Sequence, residues 1–193
     1  MRFLLALFLL LQTHIAALAF TTVVLDAGHG GHDRGGIPGQ RISEKTLALD
    51  MTLRVNAILK AHGMRTVLTR KSDVFVSLPE RVAIANRQRN AVFVSIHFNS
   101  ARREGACGVE TYYHSRKSAR LAHKIHARMV RASRSEDRRV RQRGFYVLRK
   151  TRIPAVLLEC GFLTNRQEAA RFMQPAHRQR MAEAIAAGIL AAR

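Results

Sequence analysis

With 193 residues, the chain is long enough for one domain with a full hydrophobic core and leaves little room for a second domain. Apolar residues make up 47% of the sequence, which excludes an intrinsically disordered chain. The formal net charge of +20 indicates a polyanionic neighbour, such as nucleic acid, an acidic membrane face or an anionic polymer like the bacterial wall.

The first twenty residues, MRFLLALFLLLQTHIAALAF, have the pattern of a secretory signal peptide. Arg2 precedes an apolar run over residues 3–11, and residues 17–19 match a small-x-small cleavage site. A membrane anchor is the alternative, but the run is too short to span a bilayer and is interrupted by polar residues. We predict a signal peptide over 1–19, one domain over 20–193 and a periplasmic or otherwise extracytoplasmic location. Because an exported protein does not meet chromosomal DNA, we expect the wall or an anionic membrane face to be the partner, and we expect no nucleic-acid partner.

Beyond residue 20, short apolar runs alternate with segments that have helical periodicity. The last apolar positions of the first helix precede Gly63, and Ser43 is its candidate N-cap. The alternation predicts a single α/β domain with a mixed, mostly parallel sheet of about six strands, flanked by helices on both faces. Strands are predicted at 22–27, 65–69, 91–98, 108–114 (exposed), 144–149 and 154–162, and helices at 43–63, 77–88, 118–133, 165–172 and 175–190.

Four polar residues lie at strand ends or at the start of the first helix: His29, Glu44, His97 and Glu159. Because the carboxyl ends of strands gather at one edge of such a sheet, these side chains are expected to converge. Two histidines and a carboxylate are a typical ligand set for catalytic zinc, and a second carboxylate can then take a proton from water.

Each of these residues also has a structural interpretation. His97 fits a hydrogen-bonded core histidine, and Glu44 fits an acidic residue at a helix N-terminus. Glu159 is harder to explain in this way, because a buried carboxylate is costly without a partner. The residues are far apart and form no compact motif such as HExxH, so spacing alone leaves both interpretations open.

Seven motifs occur in order along residues 22–192: LDAGHGG, SEKTLAL, LTRKSDVFVSLPERVAIAN, SIHFNS, GVETYY, GFYVLR and PAVLLECGFLTN. Together they resemble the zinc-dependent N-acetylmuramoyl-L-alanine amidases of the family 3 type. The resemblance implies one Zn²⁺ per chain, held by His29, Glu44 and His97, and a catalytic glutamate at Glu159. It also implies that the amidase domain hydrolyses the amide between the lactyl group of muramic acid and the L-alanine of the peptidoglycan stem peptide, in wall remodelling or daughter-cell separation.

Four positions depart from the usual family pattern. Arg34 and Gly36 stand where Pro and Ala are common, Phe98 stands where a small residue follows the ligand histidine, and Arg139 replaces a common Gly. None of them removes a ligand, and Arg34 and Phe98 are expected to reshape the cleft.

Two alternative functions stay open. One is another zinc-dependent wall peptidase, such as a carboxypeptidase, and the other is a non-catalytic basic wall-binding protein. The four intact site residues argue against a non-catalytic protein, and no nucleic-acid-binding motif is present.

The segment 130–143, VRASRSEDRRVRQR, carries six arginines and is the densest basic run. It is interpreted either as a solvated loop or as a contact with anionic wall polymer or lipid headgroups. In some relatives an inserted helix blocks the zinc until a partner protein removes it. Here the route from His114 to Phe145 is short, so no activator protein is expected.

The remaining polar residues are given structural roles. Asp26 is expected to accept hydrogen bonds from the glycine loop, and Arg70, Asp73 and Arg81 to fix the loop before the second helix. For Asn99, a structural role is favoured over orienting a ligand or contacting substrate. Export permits a disulfide between the two cysteines, whereas the apolar run around Cys160 favours a free thiol. The other histidines are expected to be solvated or stacked: His32, His62, His114, His123, His126 and His177.

Overall fold

Six strands form one sheet in the computed structural model, which describes residues 20–38, 40, 42–103 and 105–193. The predicted signal peptide lies outside the described residues. The sheet order is β2-β1-β3-β6-β4-β5, where the strands are β1 Thr22–Ala27, β2 Arg65–Leu68, β3 Ala91–Asn99, β4 Val109–Tyr113, β5 Asp137–Gln142 and β6 Ala155–Phe162.

The sheet is mixed but mostly parallel, as predicted. β1 runs parallel to both of its neighbours, β2 and β3, and β3 runs parallel to β6. β4 pairs with β6 in the antiparallel direction, and β5 then runs parallel to β4 at the edge. The carboxyl ends of β1, β3 and β6 therefore meet, and His97 of β3 lies in register with Glu159 of β6.

Helices cover both faces of the sheet, also as predicted. Over the described residues they are α1 Glu44–Ala61, α2 Leu78–Asn86, α3 Ala119–Ser133, α4 Tyr146–Lys150, α5 Arg166–Met173 and α6 Pro175–Leu190. The larger core lies beneath α1, α3 and α6, and a smaller core lies between the opposite face and α2 and α4. Gly63 follows α1 with a φ of 72°, whereas the Ser43 hydroxyl donates to the Arg34 carbonyl instead of capping the helix.

Three secondary-structure predictions were wrong. Residues 144–149, predicted as a strand, contain α4, whose 5 residues are too few to show a helical period. The arginine-rich segment, predicted to end in a loop, contains β5; an edge strand tolerates charges on both of its faces because little of it is buried. β4, predicted to be exposed, is largely buried because it pairs on both sides and packs against α3.

Within the described residues, no helix is both long enough and apolar enough to cross a membrane. The two cysteines are free thiols: Cys107 is half-buried, and Cys160 is fully buried in β6. The interpretation of Cys160 as a core thiol agrees with this arrangement.

Candidate metal centre

The glycine-rich loop after β1 passes close to the side chains of the site. A Cβ on Gly28 would overlap the His97 imidazole, and a Cβ on Gly35 would come within 2.6 Å of Glu44 Oε2. Gly35 also has a φ of 67°, which few other residues adopt without strain. Glycine at both positions therefore leaves room for the side chains that gather here.

His29, Glu44 and His97 converge at the carboxyl edge of the sheet. Glu44 Oε2 lies 3.1 Å from His29 Nε2, and Glu44 Oε1 lies 2.9 Å from His97 Nδ1. One potential ligand atom from each residue lies within 4.8 Å of the others. The Phe98 N–H donates to Glu44 Oε1 at 3.0 Å and holds the carboxylate against β3. The three residues predicted as ligands thus form one candidate metal site.

Hydrogen bonds within this group shift its pKa values. Burial opposes ionisation of Glu44, but hydrogen bonds from His29 and His97 outweigh it and lower the pKa of Glu44 to about 2. Burial likewise opposes protonation of His29, but Glu44 and Asp33 outweigh it and raise the pKa of His29. His29 Nδ1 donates to Asp33 Oδ2 at 2.8 Å, which leaves Nε2 as the nitrogen that faces the site.

Glu159 lies beside this group on β6. The residue is partly accessible from the cleft, but its Oε2 is buried and has no hydrogen-bond partner among the described residues. Desolvation, together with the nearby carboxylates Glu44 and Glu110, raises the pKa of Glu159 well above its ordinary value. A carboxyl group with a raised pKa in a cleft is typical of general acid–base catalysis.

The N-acetylmuramoyl-L-alanine amidase family Amidase_3 matches residues 23–191, which include all four of these residues. The chain belongs to the Amidase_3 family. The resemblance inferred from the ordered motifs is confirmed by this match.

Individual relatives agree with the family match. The uncharacterized protein YqiI of Bacillus subtilis is 40% identical over 172 residues, which cover 87% of this chain and 82% of YqiI. The N-acetylmuramoyl-L-alanine amidase LytC of the same organism is 38% identical over 168 residues, which cover 85% of this chain and 34% of LytC. The chain therefore corresponds to about a third of LytC.

A solved structure shows the same fold. The catalytic domain of CwlV, an N-acetylmuramoyl-L-alanine amidase from Bacillus (Paenibacillus) polymyxa var. colistinus, superposes with a TM-score of 0.82 at 40% identity. The match covers 89% of this chain and 97% of that domain. The described part of the chain therefore has the architecture of an Amidase_3 catalytic domain.

The predicted cluster of Arg70, Asp73 and Arg81 holds the glycine-rich loop after β1, which carries His29. Both arginines donate to backbone carbonyls within residues 27–29. Asp73 accepts a hydrogen bond from the Gly31 N–H at 2.9 Å. The cluster thus fixes the site loop as well as the loop before α2.

Asp26 is structural, but not through the glycine loop as predicted. Its buried carboxylate accepts hydrogen bonds from Arg81 at 2.7 Å, Thr69 at 2.7 Å and Ser95 at 2.6 Å. Burial opposes ionisation of Asp26, but these partners outweigh burial, so the pKa of Asp26 is lowered overall. Asp26 of β1 therefore joins β3, the residue that follows β2, and α2 beneath the site.

Two further interpretations need correction. Phe98 does not reshape the cleft, because its side chain is buried in the core against Phe172, with 4.7 Å between the ring centroids. His126 is neither solvated nor stacked: it is buried, with Nδ1 3.0 Å from Thr111 Oγ1 and Nε2 2.8 Å from Asp137 Oδ1. It joins α3 to β4 and β5, and its partner Asp137 is too far along the chain to be found by spacing.

One cleft contains part of the candidate site, and a second cleft lies beside the loop between His29 and α1. One, of about 490 Å³, contains His29, His97 and Glu159 and has an apolar wall formed by Phe75, Val76, Leu78, Phe145, Tyr146, Val147 and Leu157. The other, of about 760 Å³, is more polar and is lined by Ile37, Pro38, Gln40, Ile42, Leu163, Thr164, Arg166 and Ala169.

Sequence reasoning missed two residues close to the site. Asp33 hydrogen-bonds to His29, and Glu110 is a buried carboxylate in register with Glu159. The spacing of four between His29 and Asp33 in one loop was a signal for the first. No signal existed for the second, because it depends on the antiparallel register between β4 and β6.

Proposed function

We propose that this protein is an exported, zinc-dependent N-acetylmuramoyl-L-alanine amidase that acts on peptidoglycan in wall remodelling or daughter-cell separation. The observation that carries the proposal is the convergence of His29, Glu44 and His97 beside Glu159 in an open cleft. Amidase_3 membership over residues 23–191 supports the same reaction. The proposed mature domain is 20–193, and its proposed location is periplasmic or otherwise extracytoplasmic.

The donor set fits zinc. Two imidazole nitrogens and one carboxylate oxygen are the ligands of many catalytic zinc sites, and the cleft leaves one side of the group open. His29, Glu44 and His97 are the residues that would hold the ion. When bound, zinc supplies a Lewis acid that polarises the substrate carbonyl and makes water a better nucleophile at neutral pH.

Glu159 is proposed to move the proton. Its carboxylate takes a proton from the attacking water and delivers it to the nitrogen of L-alanine as the amide bond breaks. The unpartnered Oε2 supports this role, because a carboxyl group already bonded to the protein would not be free to exchange protons. Asp33 positions His29, and Gly28 gives the His97 ring the space it needs.

No activator protein is proposed for this enzyme. The two acidic residues of the arginine-rich segment have other contacts: Asp137 bonds to His126, and Glu136 lies 3.6 Å from Arg138. Neither belongs to the group of potential metal ligands among the described residues. Control is then left to export, expression or localisation.

Digestion of purified sacculi tests the function. Purified protein with a measured zinc content is incubated alone with sacculi, and the products are analysed by mass spectrometry. The proposal expects free stem peptides that begin with L-alanine. Shortened stems still attached to muramic acid would indicate a carboxypeptidase, and binding without product would indicate a non-catalytic wall-binding protein. Activity that appears only after residues 131–143 are deleted or a partner is added would contradict activator-free action.

A further inference from the structure

A row of polar side chains runs from the candidate metal site across neighbouring strands. His97 of β3 is in register with Glu159 of β6, and Glu159 is in register with Glu110 of β4. Arg138 of β5 follows, with its Nε 3.5 Å from Glu110 Oε1. The row therefore leads from the site to the open edge of the sheet.

Glu110 is a buried charged residue that amide hydrolysis does not explain. Only 4% of its surface is exposed, and its Oε2 accepts a hydrogen bond from Asn99 Nδ2 at 2.6 Å. A buried carboxylate needs a nearby positive charge, and Arg138 supplies it. This pairing anchors the Arg138 side chain on β5, two strands from Glu159, where the guanidinium also lies 5.1 Å from the centre of the Phe162 ring.

The guanidinium of Arg138 has unused hydrogen-bonding capacity. Its contacts with Glu110, Glu136 and the Cys107 carbonyl are long, at 3.5 Å, 3.6 Å and 3.5 Å. Its buried Nε lies against Glu110 and is closed to a ligand, whereas 22% of the Arg138 side chain is exposed. An arginine has five N–H donors in a planar fork that matches a carboxylate, so this group is suited to bind one.

We propose that Arg138, anchored by Glu110, binds a carboxylate of the stem peptide and sets a preference for substrates that carry it. This inference rests on the proposed amidase function, because it places the peptide side of the scissile bond over β4 and β5.

The reach of an extended peptide agrees with this placement. Adjacent strands lie about 4.8 Å apart, so Arg138 is roughly 10 Å from Glu159 across two strands. An extended chain spans about 3.4 Å per residue, so the second or third residue after the scissile bond arrives there. Stem peptides carry free carboxylates beyond L-alanine, and Arg141 on the same strand adds a second positive charge.

Matched substrates test the proposal. Muramyl tripeptides are prepared with the carboxylates of the second and third residues either free or converted to primary amides, and kcat and KM are measured for both. The wild-type protein is expected to prefer the free carboxylates by about tenfold, mostly through KM. Arg138→Gln should remove this preference by lowering kcat/KM more for the free-carboxylate substrate than for the amidated one, and Arg138→Lys should retain part of the preference.

Arg131→Gln, on the exposed surface of α3, is the matched control for the loss of one positive charge and should keep the preference. Equal slowing of both substrates by Arg138→Gln would assign the residue a purely structural role and overturn the proposal, as would a wild-type protein without any preference. If neither tripeptide is hydrolysed, the proposed function fails, whereas calorimetric titration of the two tripeptides still measures the preference. Equal affinity for both in that experiment would overturn the proposal.

Discussion

Glu44 contacts both histidines of the candidate site through different oxygens, so the three side chains form one connected unit. Removing either imidazole leaves two ligands, which hold zinc poorly. We expect His29→Ala and His97→Ala to lose both zinc and amidase activity, as measured by elemental analysis and sacculus digestion. His62→Ala, at an exposed position after α1, is the control and should keep both. Full zinc occupancy in His97→Ala would contradict the ligand assignment.

The raised pKa of His29 predicts how zinc binding depends on pH. Glu44 and Asp33 outweigh burial and stabilise the protonated imidazole in the metal-free protein, so a proton competes with zinc for Nε2. Zinc affinity should therefore fall as pH is lowered through the raised pKa, which lies above the ordinary value of 6.5. Zinc titrations between about pH 5.5 and 8 measure this dependence. An affinity that stays constant over that range would show that His29 does not bind the metal.

Glu159→Gln separates activity from stability. The variant should keep zinc but lose activity by roughly 10² or more, the usual scale for a general base. The pKa of Glu159 is raised in the folded state. As pH rises above 4.5, the Glu159 side chain therefore loses its proton in the unfolded chain while it is still protonated in the folded protein. The free energy of unfolding then falls as pH rises towards the folded-state pKa, and glutamine removes this loss.

Urea unfolding of the metal-free proteins at pH 7 should therefore show Glu159→Gln to be at least as stable as the wild type. Glu183→Gln, on the exposed surface of α6, is the control and should change neither property. Near-native turnover by Glu159→Gln would mean that Glu159 only supports the end of β6.

At the scale of elements, the sequence predicts best where burial imposes a clear pattern. Continuous apolar runs are typical of strands in a sheet that is buried on both faces, and they predicted β1, β3 and β6. An apolar stripe with helical spacing predicted α1, which packs against the core. The edge strand β5 has almost no apolar residues, and α4 is too short for a period, so neither was recognised. The four site residues followed from strand ends and family motifs, whereas Glu110 and Arg138 required the register between strands.

Arg139 gives a prediction about β5. It has a φ of 76° where the β4–β5 register shifts, and Asp137 Oδ1 accepts a hydrogen bond from its N–H. A non-glycine residue is strained in this conformation by about 1 kcal/mol, so Arg139→Gly should be more stable than Arg139→Ala by about that amount in urea unfolding. At Arg141, whose φ is not positive, the order should reverse because glycine weakens an ordinary strand. The same order at both positions would show that Arg139 is not strained.

At the scale of the whole molecule, the basic charge has a structural consequence at the sheet edge. β5 has no strand on its outer side among the described residues, and it carries three arginines between Asp137 and Gln142. Charged side chains on an edge strand oppose pairing with a second sheet. The same arginines contribute to the formal net charge of +20. They therefore oppose pairing of this edge with the edge of a second molecule, and they also attract an anionic polymer.

If this charge tethers the enzyme to the wall, binding to sacculi should weaken steeply once salt exceeds about 0.15 M, where the screening length is about 8 Å. Co-sedimentation with purified sacculi at low and high salt measures the effect, and unchanged pelleting at high salt would reject a tether. A triple variant of β5 and the residue after it, Arg139→Gln, Arg141→Gln and Arg143→Gln, tests whether this strand is the contact. The control triple variant, Arg128→Gln, Arg131→Gln and Arg193→Gln, removes the same charge elsewhere. A larger loss of binding in the first variant would locate the contact at β5, whereas equal losses would show that net charge alone holds the protein to the wall.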